Sequence, residues 1–283
     1  METSAGKPPF AWQPLTPSGV AAFARAPVGR LLAVQFVVAI LAAATVVWFL
    51  HVAWFPTIGE AISRLPAQGE IHAGNLDWHT NSPAMLAEGQ FLAFTVDLQH
   101  TGEARSPAHI QVELGQHDFE VFSLLGFLQR AYHPGWIVPV NQPELAPWWG
   151  AWAPAILGIT AGLVILCLMV TWAVLATVYA LPAWLLAFFA NRDLSLGGGW
   201  RLAGAALMPG ALLMTAAIFC YGSGAFDLVR LALAVGAHLV LGWVYLVLAS
   251  LRVPVHPEAA GAKDNPFTPT AKDPQPPIQG GSA

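Results

Sequence analysis

Charge is what this sequence has least of. Only 10% of its 283 residues are Asp, Glu, Lys or Arg, against about 25% in ordinary soluble domains, which excludes a soluble globular chain. Twelve Lys and Arg and a formal charge of −4 leave no basic stripe and exclude a nucleic-acid binder. Two cysteines exclude a disulfide-stapled secreted scaffold. Both, Cys167 and Cys220, stand in apolar runs and read as packing residues. The sequence has no H-x-x-H, no H-E-x-x-H, no haem attachment motif and no nucleophile–base constellation. Gly197-Gly198-Gly199 is followed by Trp200-Arg201 and not by the Lys-Ser/Thr of a phosphate loop. These absences point to a non-enzymatic chain that carries no cofactor.

What is abundant is apolar surface: 56% hydrophobic residues and a mean hydropathy of +0.57, the composition of an integral membrane protein with the lipid bilayer as its first partner. Leu31–Phe55 is an uncharged run of 25 residues, where about 20 suffice to cross a bilayer. It is too long for the core of a signal peptide, and Trp48, Trp54 and Phe55 close it where a cleavage site would need small residues. Ala153–Ala190 is uncharged for 38 residues. That is too long for one span and barely enough for two, so we expect one span over about 154–178 and a bent, interfacial segment at Leu181–Ala190 beyond Pro182. Leu202–Tyr221 and Leu228–Leu251 complete four spans, joined by a tight turn at Gly222–Asp227. With a single crossing at 147–190, eight of the twelve basic residues (Lys7, Arg25, Arg30, Arg192, Arg201, Arg252, Lys263 and Lys272) lie on one side. The positive-inside rule makes that side cytoplasmic. The expected order is therefore a cytoplasmic segment 1–30, a first span 31–55, an extracytoplasmic insert 56–146, a second span with its extension 147–190, a cytoplasmic loop 191–201, spans 202–221 and 228–251, and a disordered, proline-rich cytoplasmic tail 252–283. Val20–Arg25 reads as a short amphipathic piece on the membrane surface. The fold class is a membrane all-α bundle of four helices with a small β-rich insert, set in a bacterial inner membrane with both termini inside.

The insert holds ten acids and three bases, a balance of −7, and six of the nine histidines. Thr57–Leu65 should continue the first helix to Pro66. Leu92, Phe94, Val96 and Leu98 alternate with smaller or polar residues, as do Ile110, Val112 and Leu114, the period of half-buried strands. Gly115-Gln116 suggests a type II′ hairpin that sets Leu114 against His117 and Glu113 against Asp118. Glu70–Trp78 adds a strand, and Ser123–Tyr132 reads as a short helix. On the outer, wetted face of that hairpin His109, Gln111, Glu113, Asp118 and Glu120 would gather; like charges facing each other across strands destabilise a sheet and invite a cation or a basic partner. His79 follows Asp77 at strand spacing. These residues (His109, Glu113, Asp118, Glu120, Asp77 and His79) are the candidate cation or proton ligands.

Within the spans the polar inventory is thin. His238 is the one ionisable group near mid-helix, expected to bond a neighbouring helix, and this scarcity disfavours an ion-coupled transporter. Gly158/Gly162 and Ala206/Gly210 are small-x-x-x-small pairs that permit close helix packing, within the chain or in a homo-oligomer.

The segment Gly199-Trp200-Arg201-Leu202-Ala203-Gly204-Ala205-Ala206-Leu207-Met208-Pro209, a later glycine-containing turn, and Gly242-Trp243-Val244-Tyr245-Leu246-Val247-Leu248-Ala249 resemble the bacterial membrane proteins grouped as domain of unknown function 1189, themselves similar in layout to the Yip family of small multi-span proteins. The front of the chain is similar too, with Pro66 followed by Gly69-Glu70. The resemblance implies one anchor, a strand-rich extracytoplasmic segment and a cluster of further spans; it brings no catalytic residues. The histidine-rich insert and the proline-rich tail have no counterpart in it. Three functions follow in order: a membrane scaffold or accessory subunit that meets a membrane-protein partner through its acidic outer domain; a cation or pH sensor using the clustered histidines and carboxylates; and a lipid or small-molecule carrier.

Overall fold

A computed structural model of the chain describes residues 12–124 and 126–256; the proposed disorder of the tail falls almost wholly outside them. Helices α1 (Pro17–Ala22), α2 (Val28–Phe49), α3 (Phe55–Ser63), α4 (Gln142–Phe189), α5 (Leu196–Ala206), α6 (Met208–Gly222) and α7 (Leu228–Arg252) enclose eight strands: β1 (Gly69–His72), β2 (Asn75–Trp78), β3 (Ala84–Glu88), β4 (Leu92–Val96), β5 (Ile110–Leu114), β6 (Asp118–Ser123), β7 (Gly126–Ala131) and β8 (Ile137–Pro139). Four helical stretches, 28–63, 142–189, 196–222 and 228–252, are long and apolar enough to cross a membrane.

The first stretch does run on past the apolar segment, through a π-turn at Leu50–Trp54 into α3. Pro56 explains the wide turn. It has no N–H for the carbonyl four residues earlier and its ring crowds that carbonyl, so the ladder opens just before it. The second stretch continues as helix through the segment beyond Pro182. α4 is one unbroken helix of 48 residues that runs through Pro147, Pro154 and Pro182. Ala183 and Ala187 are buried in one cluster with Leu202 and Ala203, while Leu181, Phe188 and Phe189 on the other faces are exposed.

The glycine triplet expected in a loop opens α5, with the Ser195 hydroxyl capping Gly198 N–H. A Cβ on Gly198 would stand 3.1 Å from the Ala24 carbonyl oxygen, and one on Gly199 the same distance from that of Ala180. Helix-weakening glycines here let neighbouring backbones approach more closely than a Cβ ordinarily tolerates. Chain order then breaks at Leu207, ahead of Pro209, and α6 packs on α7. Gly210 makes the closest approach: its Cβ would lie 2.7 Å from the His238 carbonyl oxygen. Of the two small-residue pairs, Ala206/Gly210 is therefore at a contact, whereas Gly158 and Gly162 have nothing within 4 Å of where a Cβ would be. His238 turns its Nδ1 to the Val235 carbonyl of its own helix at 2.5 Å, not to a neighbour.

At one end of the bundle three segments are knitted together. Arg192 pairs with Val255 in a β-bridge, Asp193 N–H donates to Pro254 O, Arg25 bridges to Asp193 at 2.9 Å, and Arg201 donates to Ala24 O at 2.6 Å. The chain before α2, the loop after α4 and the end of α7 thus meet at one end, as a single passage of α4 requires. The Val20–Arg25 piece is a helix and a 3-10 turn whose Val20, Phe23 and Ala24 are buried in this cluster. Its buried face packs into the bundle end, and Arg25 is exposed.

At the other end the strands form two sheets, β2-β1-β8 and β3-β4-β5-β6-β7. Glu70–Trp78 is a hairpin, not one strand; Ala73 and Gly74 at φ 50 and 80 make its turn. The segment expected to be a short helix at Ser123–Tyr132 contains β7, which pairs residue for residue with β6 from Asp118↔Ala131 to Ser123↔Gly126. β4 and β5 are parallel, so residues 97–109 must cross over the sheet between them.

Candidate functional site

The expected hairpin exists, with a two-residue correction in register. Leu114 faces Phe119, Val112 faces Val121 and Glu113 faces Glu120. Gly115 pairs with Asp118 through its N–H, so Gln116 and His117 are the turn. Gly115 is not at positive φ. It is glycine because a Cβ there would come within 2.5 Å of His100 Nε2 and 2.7 Å of Asp118 Oδ1. The larger correction concerns the face expected to be wet. Thr95, Asp97, Gln111, Glu113 and Glu120 are all buried, because the 97–109 crossover lies across them. An irregular segment has no ladder to satisfy its backbone, so the sheet beneath it supplies polar side chains. Gln111 donates to Ala104 O at 2.9 Å and to Thr95 Oγ1 at 3.1 Å while accepting from Ser106 N–H at 2.9 Å. Ser106 Oγ donates to Glu88 at 2.7 Å. Asp97 accepts from Thr101 Oγ1 and Gly102 N–H, both at 2.8 Å. Burial raises the Asp97 pKa, but those bonds outweigh it and hold the carboxyl below its usual value.

This clamp holds His100 at φ 53, a left-handed conformation uncommon for residues other than glycine, and turns its ring back to the sheet. Nδ1 lies 2.8 Å from Glu113 Oε1 and Nε2 lies 2.8 Å from Asp118 Oδ1; Glu120 Oε2 is 3.5 Å from Nδ1. The charges facing the ring are Glu113 from β5, Asp118 and Glu120 from β6, and Arg105 from the crossover, 3.7 Å from Glu113. Gln129 from β7 donates to Asp118 at 2.6 Å. Two ring nitrogens each facing a carboxylate at hydrogen-bond distance are satisfied together only by the imidazolium, which has two N–H donors and no lone pair. Burial pulls the His100 pKa down, but the bonds to Glu113 and Asp118 and the charges of Glu120 and Asp118 carry it above the ordinary histidine value. Arg105 also lies 3.8 Å over the Phe122 ring.

His100, Glu113 and Glu120 bring one ligand atom each within 4.8 Å of one another, a set of types that suits a divalent cation. A cation there would take the Nδ1 lone pair and so replace the proton. Of the residues singled out in sequence, Glu113, Asp118 and Glu120 converge as a group. His109 does not join them. It hydrogen-bonds the Tyr221 hydroxyl and stacks on that ring at 5.7 Å, with Phe91 edge-on to both, and so docks the strands on the end of α6. Asp77 and His79 form a separate exposed pair at 3.3 Å. His100, one of six histidines in the insert, is the residue the sequence did not single out. The signals for it were Asp97 with Thr101-Gly102, a local turn set, and a glycine closing β5.

No protein-family model, no curated protein and no solved structure matches this chain.

Proposed function

We propose that the chain is a non-enzymatic, four-span protein of the bacterial cytoplasmic membrane, with both termini inside, whose extracytoplasmic strand domain responds to protons through His100. The observation that carries this reading is the imidazole held between Glu113 and Asp118 beneath the crossover. Segregation of basic residues to the end where 25, 192, 201 and 252 lie supports the orientation, and the resemblance to the 1189-type proteins supplies layout without activity. A partner contact through Glu113, Asp118 and Glu120 has less support, since Glu113 and Glu120 are buried and all three face His100. A change in the crossover is the natural output: protonated, His100 ties it to β5 and β6; neutral, one nitrogen sets a lone pair against a carboxylate and the tie weakens. The surface so altered is what a membrane partner or second copy would read.

Hydrogen exchange of the full chain in nanodiscs, corrected for intrinsic rates from about pH 5 to about pH 8, the range of histidine titration, tests this. Amides of 97–109 should lose protection as pH rises, and His100→Gln should make their protection indifferent to pH. Protection that is flat in the wild type sinks the reading. Protection restored at high pH by a divalent cation would favour a cation over the proton as ligand.

A further inference from the structure

The strand domain presents a second feature, at the other end of β6. β4 and β5 begin beside the bundle. Phe91, just before β4, has its ring 5.2 Å from Phe49 and 5.0 Å from Tyr221, and His109, just before β5, stacks on Tyr221. Ile110 is paired with Ser123, and Ser123 with Gly126. The β6–β7 turn is therefore level with the ends of α2 and α6, while the far end of β7 reaches the distal turn, where Tyr132 N–H donates to His117 O. Along β7 apolar exposure follows that axis, while Trp136 and Ile137 are exposed near the distal turn. Leu124 and Phe127 are 65% exposed and Leu128 is 55% exposed at the bundle end; Gln129 and Arg130 follow at the distal end. Phe127 and Leu128 point to opposite faces of the strand, so a partner seated on one face of the sheet would leave the other uncovered. A surrounding apolar medium covers both.

We propose that the bundle end of the β6–β7 hairpin, through Leu124, Phe127 and Leu128, is inserted in the outer leaflet of the bilayer that holds the spans. This rests on the reading that the four apolar helices cross a membrane. An exposed apolar tip of this kind suits an interfacial element buried about 5–10 Å at the headgroup–acyl boundary. Arg105, with Leu124 on the wall of an open groove of about 390 Å³, sets a cation beside the apolar tip, as interface-binding elements do. The hairpin then fixes the height of the strand domain over the membrane.

The test is spin-label accessibility on the full chain, with Cys167 and Cys220 changed to Ala, in vesicles of phosphatidylethanolamine and phosphatidylglycerol. Labels go at Leu124→Cys, at Arg130→Cys on the distal half of β7, and at Leu163→Cys on the exposed face of α4. Leu124 and Leu163 should favour oxygen over a water-soluble nickel chelate, and Arg130 the reverse. Leu163 in lipid with Leu124 in water overturns the insertion while the span reading stands. Both in water overturns both. Dipolar broadening between Leu124 labels of two chains assigns the tip to a second copy and overturns the insertion.

Discussion

Replacing His100 with alanine should loosen the strand domain by a calculable amount. The side chain supplies two hydrogen bonds at 2.8 Å to carboxylates, one of which, Glu113, is only 1% exposed. Hydrogen bonds to charged groups contribute about 1.5–3 kcal/mol each, and breaking a buried pair costs about 3–5 kcal/mol because the remaining charge is stranded. The ring itself is 28% exposed, so solvent screens part of this and about 3 kcal/mol is the working figure. That is roughly a hundredfold in the opening equilibrium. Native-state hydrogen exchange of the β5 and β6 amides in the full chain reads that equilibrium directly. The cause is charge stranding, so Glu113→Gln should remove most of the penalty when combined with His100→Ala. The pH dependence has a definite sign. His100 has its folded pKa raised above the unfolded one, so its contribution is full below the unfolded value and is lost as pH rises through the folded one. His100→Ala should therefore cost most in acid and little in base. A variant as protected as the wild type at low pH, or a double variant no better than the single, refutes the reasoning.

Three further outcomes follow from the packing. Gly210→Ala drives a methyl toward the His238 carbonyl at 2.7 Å and should cost about 1–3 kcal/mol in detergent unfolding, whereas Gly158→Ala and Gly162→Ala should be silent there; a silent Gly210→Ala would mean the α6–α7 approach is looser than described. Asn141 caps α4 by accepting from Glu144 N–H at 3.0 Å and donates to Gly69 O at 3.2 Å, so Asn141→Ala should cost about 1 kcal/mol, seen as faster exchange at both the helix start and β1. Asp97 has its pKa lowered in the fold, so its contribution is present above the unfolded value and is lost as pH falls through the folded one; Asp97→Asn should flatten the acid limb of crossover protection, and an unchanged acid limb would count against the Thr101–Gly102 clamp.

Sequence patterning revealed the apolar helices, the continuation of the first helix into α3, and a β5–β6 hairpin two residues out of register, because each rests on local periodicity. It failed where tertiary contact overrode the local rule. Alternation along β5 distinguishes two faces but does not say that both are covered; the polar one is roofed by a crossover that exists only because β4 and β5 run parallel. Gly197-Gly198-Gly199 looks like a loop by propensity and is helical, with the Ala24 and Ala180 carbonyls lying close to where Cβ atoms of Gly198 and Gly199 would stand. Gly115 suggested a glycine turn and in fact makes space for an imidazole. His100 was obscured by equality with its five neighbours in the insert, since no spacing rule joins a loop histidine to carboxylates on two other strands.

The strand domain is joined to the bundle by short links, five residues between α3 and β1 and two between β8 and α4. It is entered from a helix continuous through its π-turn from Val28 to Ser63 and left through the start of α4, three residues after β8 begins to close. Two helices therefore connect the sheet to the bundle, one of them about 72 Å long at the ordinary helical rise. A domain on flexible tethers would dissipate any strain set up beneath its crossover as tumbling. Here a strain set up at the sheet would be passed along these helices toward the end of the bundle where Arg25, before α2, pairs with Asp193, after α4.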